Sequence, residues 1–148
     1  MKIAIASDHG GFLYKEKIKA YLTEVGIEFK DFGPSDENSV DYPDYAKPVA
    51  ESVANGTYDR GILVCGTGIG MSIAANKVDG IRCALVSDVF TAEVTRQHNN
   101  SNVLALGQRV IGEGLMLLIV KTWLNSEFEG GRHQNRIDKI SAIESCNG

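Results

Sequence analysis

Apolar residues arrive along this chain in short runs that alternate with longer stretches spaced for one face of a helix. Lys2–Ser7 strings Ile and Ala together as a buried strand, and Phe12–Val25 follows with Leu13, Ile18, Tyr21, Leu22 and Val25 at helical spacing. Gly26 stands where a helix ends on a left-handed residue, Ile27–Phe32 reads as a second strand, and Gly33-Pro-Ser-Asp-Glu-Asn38 as a polar loop. Asp44–Asn55 is the next helix, closed by Gly56, and Ile62–Val64 is a third strand. Met71–Lys77 has the small and unbranched residues of a helix, and Ile81–Val86 and Val103–Leu106 are strands on either side of a helix over Val89–Gln97. Glu113–Leu124 is strongly apolar and helical; Gly130-Gly131 interrupts it, and Arg132–Glu144 resumes helical spacing through Ile137, Ile140 and Ile143. That break predicts a C-terminal helical arm over about residues 131–148.

Strands alternating with helices throughout imply an α/β fold, a parallel, doubly wound five-stranded sheet with right-handed crossovers. The expected strand order is 2-1-3-4-5, which places a ligand crevice beyond the C-termini of strands 1 and 3. Two loops meet there, Ser7-Asp-His-Gly-Gly11 and Cys65-Gly-Thr-Gly-Ile-Gly70, bringing together an acid, an imidazole, a thiol and a run of glycines.

Composition narrows the classes. At 148 residues with 43% apolar and 23% charged content, one domain (1–148) accounts for the chain, and no apolar run approaches membrane-spanning length. A net charge of −4 argues against a nucleic-acid partner, so an anionic ligand must be drawn by a local cluster such as Arg132 and Arg136. The chain opens directly on strand-like residues, and its three cysteines form no disulfide framework, which together predict a cytoplasmic protein.

The glycine loop lacks the Lys-Ser/Thr of a phosphate-binding P-loop, and Met71 stands where a dinucleotide fingerprint needs its last glycine, so nucleotide binding is disfavoured. Glycines at 66, 68 and 70 instead let main-chain N–H groups close on an oxyanion at a helix N-terminus. Cys65 is either a small apolar residue ending a buried strand or, against that N-terminus, a thiol activated as a base. Asp8 and His9 either cap the first helix or serve the crevice. Tyr42, Pro43 and Tyr45 are a pocket wall or loop packing. Arg132 and Arg136, one turn apart, share a face where two guanidinium forks hold a phosphate, or form a solvated face; Arg109 is a third candidate. Cysteines and histidines are scattered without the spacing of metal ligands, so no metal is expected. His98 ends a helix that descends from the strand C-termini, about 15 Å from its own Cys65, so a site using both needs two chains.

Five dispersed motifs, Ser7-Asp-His-Gly-Gly11, Asp41-Tyr-Pro43, Cys65-Gly-Thr-Gly-Ile-Gly70, Arg96-Gln-His-Asn-Asn100 and Gly130-Gly-Arg-His-Gln-Asn-Arg136, resemble ribose-5-phosphate isomerases of the B type, in the right order and over essentially the whole chain. The resemblance implies a Rossmann-like fold and a homodimer with shared active sites, or a tetramer of such dimers. It implies interconversion of ribose 5-phosphate and ribulose 5-phosphate without metal or organic cofactor. On it, Cys65 is the base, with Thr67 beside it; His98 is the acid that opens the furanose ring; Asp8 assists on the sugar hydroxyls and Asn99 binds substrate. His9, Arg109, Arg132 and Arg136 take the phosphate, and Gly66, Thr67, Gly68, Ile69 and Gly70 form the cradle. Cys65 matches the thiol-using branch rather than the one with a glutamate near position 69, where this chain has Ile69. A hexose-phosphate isomerase acting on allose 6-phosphate or galactose 6-phosphate is the alternative within the same chemistry, and a non-catalytic sugar-phosphate sensor the alternative outside it. Cys146, on the tail, is expected to be dispensable.

Overall fold

The computed structural model describes residues 1–146, with side chains through Glu144, so Cys146's side chain and residues 147–148 of the expected arm lie outside the described residues. The strands are β1 (Lys2–Ser7), β2 (Glu28–Asp31), β3 (Arg60–Cys65), β4 (Cys83–Leu85) and β5 (Val103–Gly107), all paired in parallel. They are linked by α1 (Phe12–Glu24), α2 (Pro43–Ala54), α3 (Ile69–Asn76), α4 (Val89–Asn99) and α5 (Glu113–Asn125), and α6 (Arg132–Cys146) ends the fold.

Period-two alternation divides the inner strands between two helical layers. Ile3, Ile5, Ile62, Val64, Leu104 and Leu106 face α1, α4 and α5, where Ile18, Leu22, Met116 and Trp123 close the core. Ala4, Ala6, Leu63, Cys65 and Ala105 face α2 and α3, where Val49, Ala50, Met71 and Ala75 pack. Both faces of β1, β3 and β5 are therefore dry, which is why these strands are near-continuous apolar runs. Trp123, fully buried, satisfies its indole N–H on Ser101 Oγ at 2.9 Å.

The sheet order is β2-β1-β3-β5-β4, correcting the expected 2-1-3-4-5. The reason lies in the strands themselves. β5 buries all five of its residues and fits between two neighbours, whereas β4 has three, with Leu85 exposed, and suits an edge. The residues expected to extend β4 are spent elsewhere: Ile81 N–H bonds Val78 O at 3.2 Å and Arg82 N–H bonds Asn102 Oδ1 at 2.8 Å. Since the exchange lies beyond β3, the crevice between β1 and β3 is untouched. It does alter which loop adjoins that crevice, because the segment after β5 now flanks the end of β3.

The C-terminal helix is docked rather than free. Gly130 and Gly131 both take left-handed φ, 70° and 57°, turning the chain into α6, where Ile137 is buried and Glu144 accepts from Gly80 N–H at 2.9 Å. No helix among the described residues is long and apolar enough to cross a membrane.

Candidate active site

The two loops predicted to meet do so. Asp8 N–H donates to Val64 O at 3.1 Å and Ser7 N–H to Gly33 O at 3.1 Å, tying the end of β1 to β3 on one side and to the loop after β2 on the other. Asp8 Oδ1 accepts from Gly11 N–H at 3.1 Å, so this residue caps the following 3-10 turn and also lines the cleft. Its two readings are compatible.

Cys65 closes β3 almost fully buried, and its Sγ accepts from Gly68 N–H at 3.0 Å. Gly68 holds φ at 79°, and a Cβ there would fall 2.6 Å from Leu85 and 2.9 Å from the Leu106 carbonyl carbon, so no other residue fits. Thr67 Oγ1 accepts from Ile69 N–H at 3.2 Å, a local turn just before α3, whose N-cap is Gly68. The N–H groups of Gly66 and Thr67 meet no acceptor among the described residues, which leaves them, with the α3 N-terminus, as donors for an anion.

Arg109 enters because of the exchanged strands. Gln108 N–H bonds Cys65 O and Arg109 N–H bonds Gly66 O, both at 2.9 Å, and the guanidinium lies over Gly66, where a Cβ would be 3.4 Å from Nη1. Tyr42 stands across the cleft above Gly70, so close that a Cβ on Gly70 would lie 2.6 Å from its ring. Of the expected wall, Tyr42 alone serves: Pro43 borders another groove and Tyr45 packs in the core. Asp8, Tyr42, Cys65, Thr67, Gly70 and Arg109 enclose about 410 Å³, with Ile69 on the rim. A groove of about 710 Å³ between α2 and α3 is larger, but Lys47, Glu51, Lys77 and Asp79 give it mixed charge and no nucleophile. His9 sits beside the cleft, its Nδ1 accepting from Val40 N–H at 3.2 Å, which leaves Nε2 as its free nitrogen.

His98, Asn99, Arg132 and Arg136 are not brought to Cys65. Gly61 N–H bonds Asn102 O at 2.9 Å, so the segment after α4 adjoins the start of β3, and Cys65 is four residues on, about 13 Å along the strand. His98 instead stacks on His133, with ring centroids 4.3 Å apart and planes within 10°. Nε2 of each lies 3.6 Å from Glu129 Oε1. Burial lowers the His133 pKa below the usual histidine range, as do the neighbouring His98 and Arg132, against the opposing pull of Glu129. Arg132 and Arg136 stand on the same first turns of α6.

Sequence reading missed Glu129 and His133, although their separation by four residues was a visible signal. It also scattered donors that the fold assembles: ligand atoms of His98, Glu129 and His133 lie within 4.8 Å of one another, a set able to hold a metal ion. Arg82 and Arg96 were missed as well; Arg82 donates to Asn99 O at 3.0 Å and Arg96 to Ser101 O at 2.6 Å, fixing the segment that presents His98 and Asn99. Burial and the proximity of Arg60 and Arg82 push Arg96 down to about 10. Cys83 provides a contrast to Cys65: burial raises its thiol to about 12, with the Ser72 hydroxyl only partly offsetting this, and it lies outside the cleft.

Comparison with known proteins places this geometry. A family model described as Ribose/Galactose Isomerase matches residues 3–140. Ribose-5-phosphate isomerase B of Escherichia coli is 52% identical over 143 residues, 97% of this chain and 96% of that protein. The structure of ribose-5-phosphate isomerase B from Clostridium thermocellum superposes with a TM-score of 0.99 at 53% identity, covering 100% of both chains. The enzyme from Mycoplasma genitalium, solved with bound ribulose-5-phosphate, gives a TM-score of 0.94 at 45% identity over 97% of this chain and 96% of that one.

Proposed function

The chain belongs to the ribose/galactose isomerase family, and we infer that it interconverts D-ribose 5-phosphate and D-ribulose 5-phosphate through an enediolate, with Cys65 as the base. The observation that carries the assignment of the base is the Cys65 sulfur, held at 3.0 Å by Gly68 N–H in a cleft it shares with Asp8, Arg109 and two unpartnered main-chain N–H groups.

The reaction follows from these groups. On the open-chain aldose, the Cys65 thiolate takes the proton from C2; the C–H electron pair forms C1=C2 and the carbonyl pair moves onto O1. The N–H groups of Gly66 and Thr67 stabilise that oxyanion while it takes a proton. O2–H then loses its proton, C2=O2 forms, and the thiol returns its proton to C1. Asp8 and Thr67 serve the hydroxyls that exchange protons, and Arg109, with His9 next to Asp8, takes the phosphate. No step draws on a metal or an organic cofactor.

A second copy of the chain completes the site. His98, Asn99, Arg132 and Arg136 lie at the other end of β3 from their own Cys65, and Ile69, Leu85 and Val110 are exposed around an apolar hollow of about 200 Å³ beside the cleft, a rim suited to burial against a partner. The protein is thus read as a cytoplasmic homodimer with shared active sites, serving pentose phosphate interconversion. The pentose reading is preferred over a hexose phosphate because the bound ketose in the Mycoplasma genitalium structure has five carbons.

Turnover of ribose 5-phosphate by the native chain and by Cys65→Ala, with allose 6-phosphate and galactose 6-phosphate in parallel, tests the reading. The expected result is pentose turnover that falls by about 10²–10⁴ in the variant while substrate still binds. Turnover on a hexose phosphate alone would move the substrate assignment, and binding without turnover by the native chain would leave a sensor.

A further inference from the structure

We propose that Glu129 is the positioning residue of His98: its main-chain N–H ties it to the end of α4, and its carboxylate beside that imidazole fixes which nitrogen is left for substrate. Glu129 N–H donates to Gln97 O at 3.0 Å, one residue from His98, so the glutamate is tethered to the helix end it serves. Its Oε1 lies 3.6 Å from Nε2 of His98, and Nδ1 has no hydrogen-bond partner among the described residues. His133 backs the ring from the other side, stacked within 10° and facing the same carboxylate oxygen. Two parallel imidazoles facing one carboxylate oxygen form a clamp that sets ring orientation, and a carboxylate on the Nε2 side leaves Nδ1 as the nitrogen turned to substrate. Catalytic contacts of this length tighten when substrate and a covering surface arrive, because the local dielectric falls.

The proposal rests on the reading that His98 opens the furanose. In that step the hemiacetal O1–H proton passes to the Asp8 carboxylate, C1=O1 forms, the C1–O4 bond breaks, and O4 takes a proton from Nδ1 of His98. The two protonation states are restored through water. Arg132 and Arg136, one turn apart on α6, and Arg82 and Arg96, which fix the segment after α4, bring positive charge near the clamp. As a surface-exposed pair in one chain, Glu129 and His98 add little to folding, so removing the carboxylate leaves the protein folded.

Two rates separate ring opening from proton transfer at carbon. Conversion of ribose 5-phosphate requires both. Deuterium exchange from D₂O into C1 of ribulose 5-phosphate, followed by NMR, requires only the second, because that ketose carries its phosphate on O5 and is open-chain. The ratio of conversion to exchange is expected to fall about tenfold to a hundredfold in Glu129→Gln and Glu129→Ala, as for a misplaced catalytic group, to recover in part in Glu129→Asp, and to fall furthest in His98→Asn. Thermal unfolding of each variant should match the native protein. A native ratio in the Glu129 variants alongside a reduced ratio in His98→Asn overturns the proposal, as does a parallel loss of both rates. An unchanged ratio in His98→Asn overturns the ring-opening reading itself, and the proposal with it.

Discussion

At the C-terminal ends of β1 and β3, main-chain N–H groups that glycines leave bare surround a buried sulfur. At the far end of α4 the polar groups are side chains, His98, His133, Glu129 and two arginines, with the two imidazoles stacked and Glu129 tied to α4 by its main-chain N–H. The first region is preformed by the fold and costs nothing further to order. In the proposed dimer the second would acquire its low-dielectric surroundings from the other chain. A site split in that way would make catalysis contingent on assembly.

The sharpest way to break this comparison is to disable each half in a different chain. Cys65→Ala and His98→Asn, each expected to be nearly inactive alone, should recover about a quarter of native turnover when subunits are exchanged in equal amounts, because half the dimers are mixed and each mixed dimer has one intact site. No recovery would place both groups in a single chain. Next, Gly70→Ala forces a Cβ against the Tyr42 ring, which a glycine alone permits at this distance. Turnover should drop about tenfold to a hundredfold through displacement of the cleft wall, with the unfolding temperature little changed; a native rate would show Tyr42 to be a bystander.

The preformed region also depends on a buried cation. Lys15 is fully buried, its Nζ 2.9 Å from both oxygens of Asp31, and Asp31 Oδ1 accepts from Gly33 N–H at 2.8 Å, the residue whose carbonyl holds Ser7. Asp31→Asn should destabilise the fold by about 2–3 kcal/mol, less than for a fully buried pair because Asp31 is partly exposed. The sign with pH follows from the Asp31 carboxyl. Burial pushes it up, but hydrogen bonds from Lys19, Lys15 and Gly33 outweigh this and hold it below the usual carboxylate range. Its contribution is therefore complete above the unfolded value and lost as pH falls through the folded one, so the native and variant unfolding curves should converge below about pH 4. A gap that persisted into acid would assign the effect to packing.

Arg136→Ala should raise KM for ribose 5-phosphate by about tenfold, as for loss of a charge-assisted contact, and leave an unphosphorylated aldose unaffected; equal effects on both would remove it from the phosphate. The smallest expected effect is that of a chelator. It should leave the rate unchanged, and a loss restored by zinc would turn the His98, Glu129 and His133 clamp into a metal centre.

Element types and the meeting of the two loops were readable because burial on both faces writes itself as apolar runs, and because Gly66, Gly68 and Gly70 mark a turn where side chains are unwelcome. Strand order was not, since the competition between β4 and β5 for the inner place is settled by how many residues each can bury, a property of the packed sheet. That same misplacement hid why Arg109 belongs beside Gly66. The burial of Lys15 has no local signal, because its partners are a carboxylate on β2 and the Pro34 carbonyl. Glu129 escaped because its partner His98 is remote in sequence and joined to it only by the fold.

A cradle made of backbone N–H groups has an evolutionary side. Every sequence that preserves the turn inherits the oxyanion donors, whatever side chains surround them, so selection can trade one proton acceptor for another without rebuilding the rest. Ile69, half-exposed at the first turn of α3 and on the rim of the same cleft, stands where the resemblance to type-B isomerases puts the glutamate of the other branch. Descendants of one ancestor can thereby share a scaffold and a reaction while differing in the residue that performs its central step.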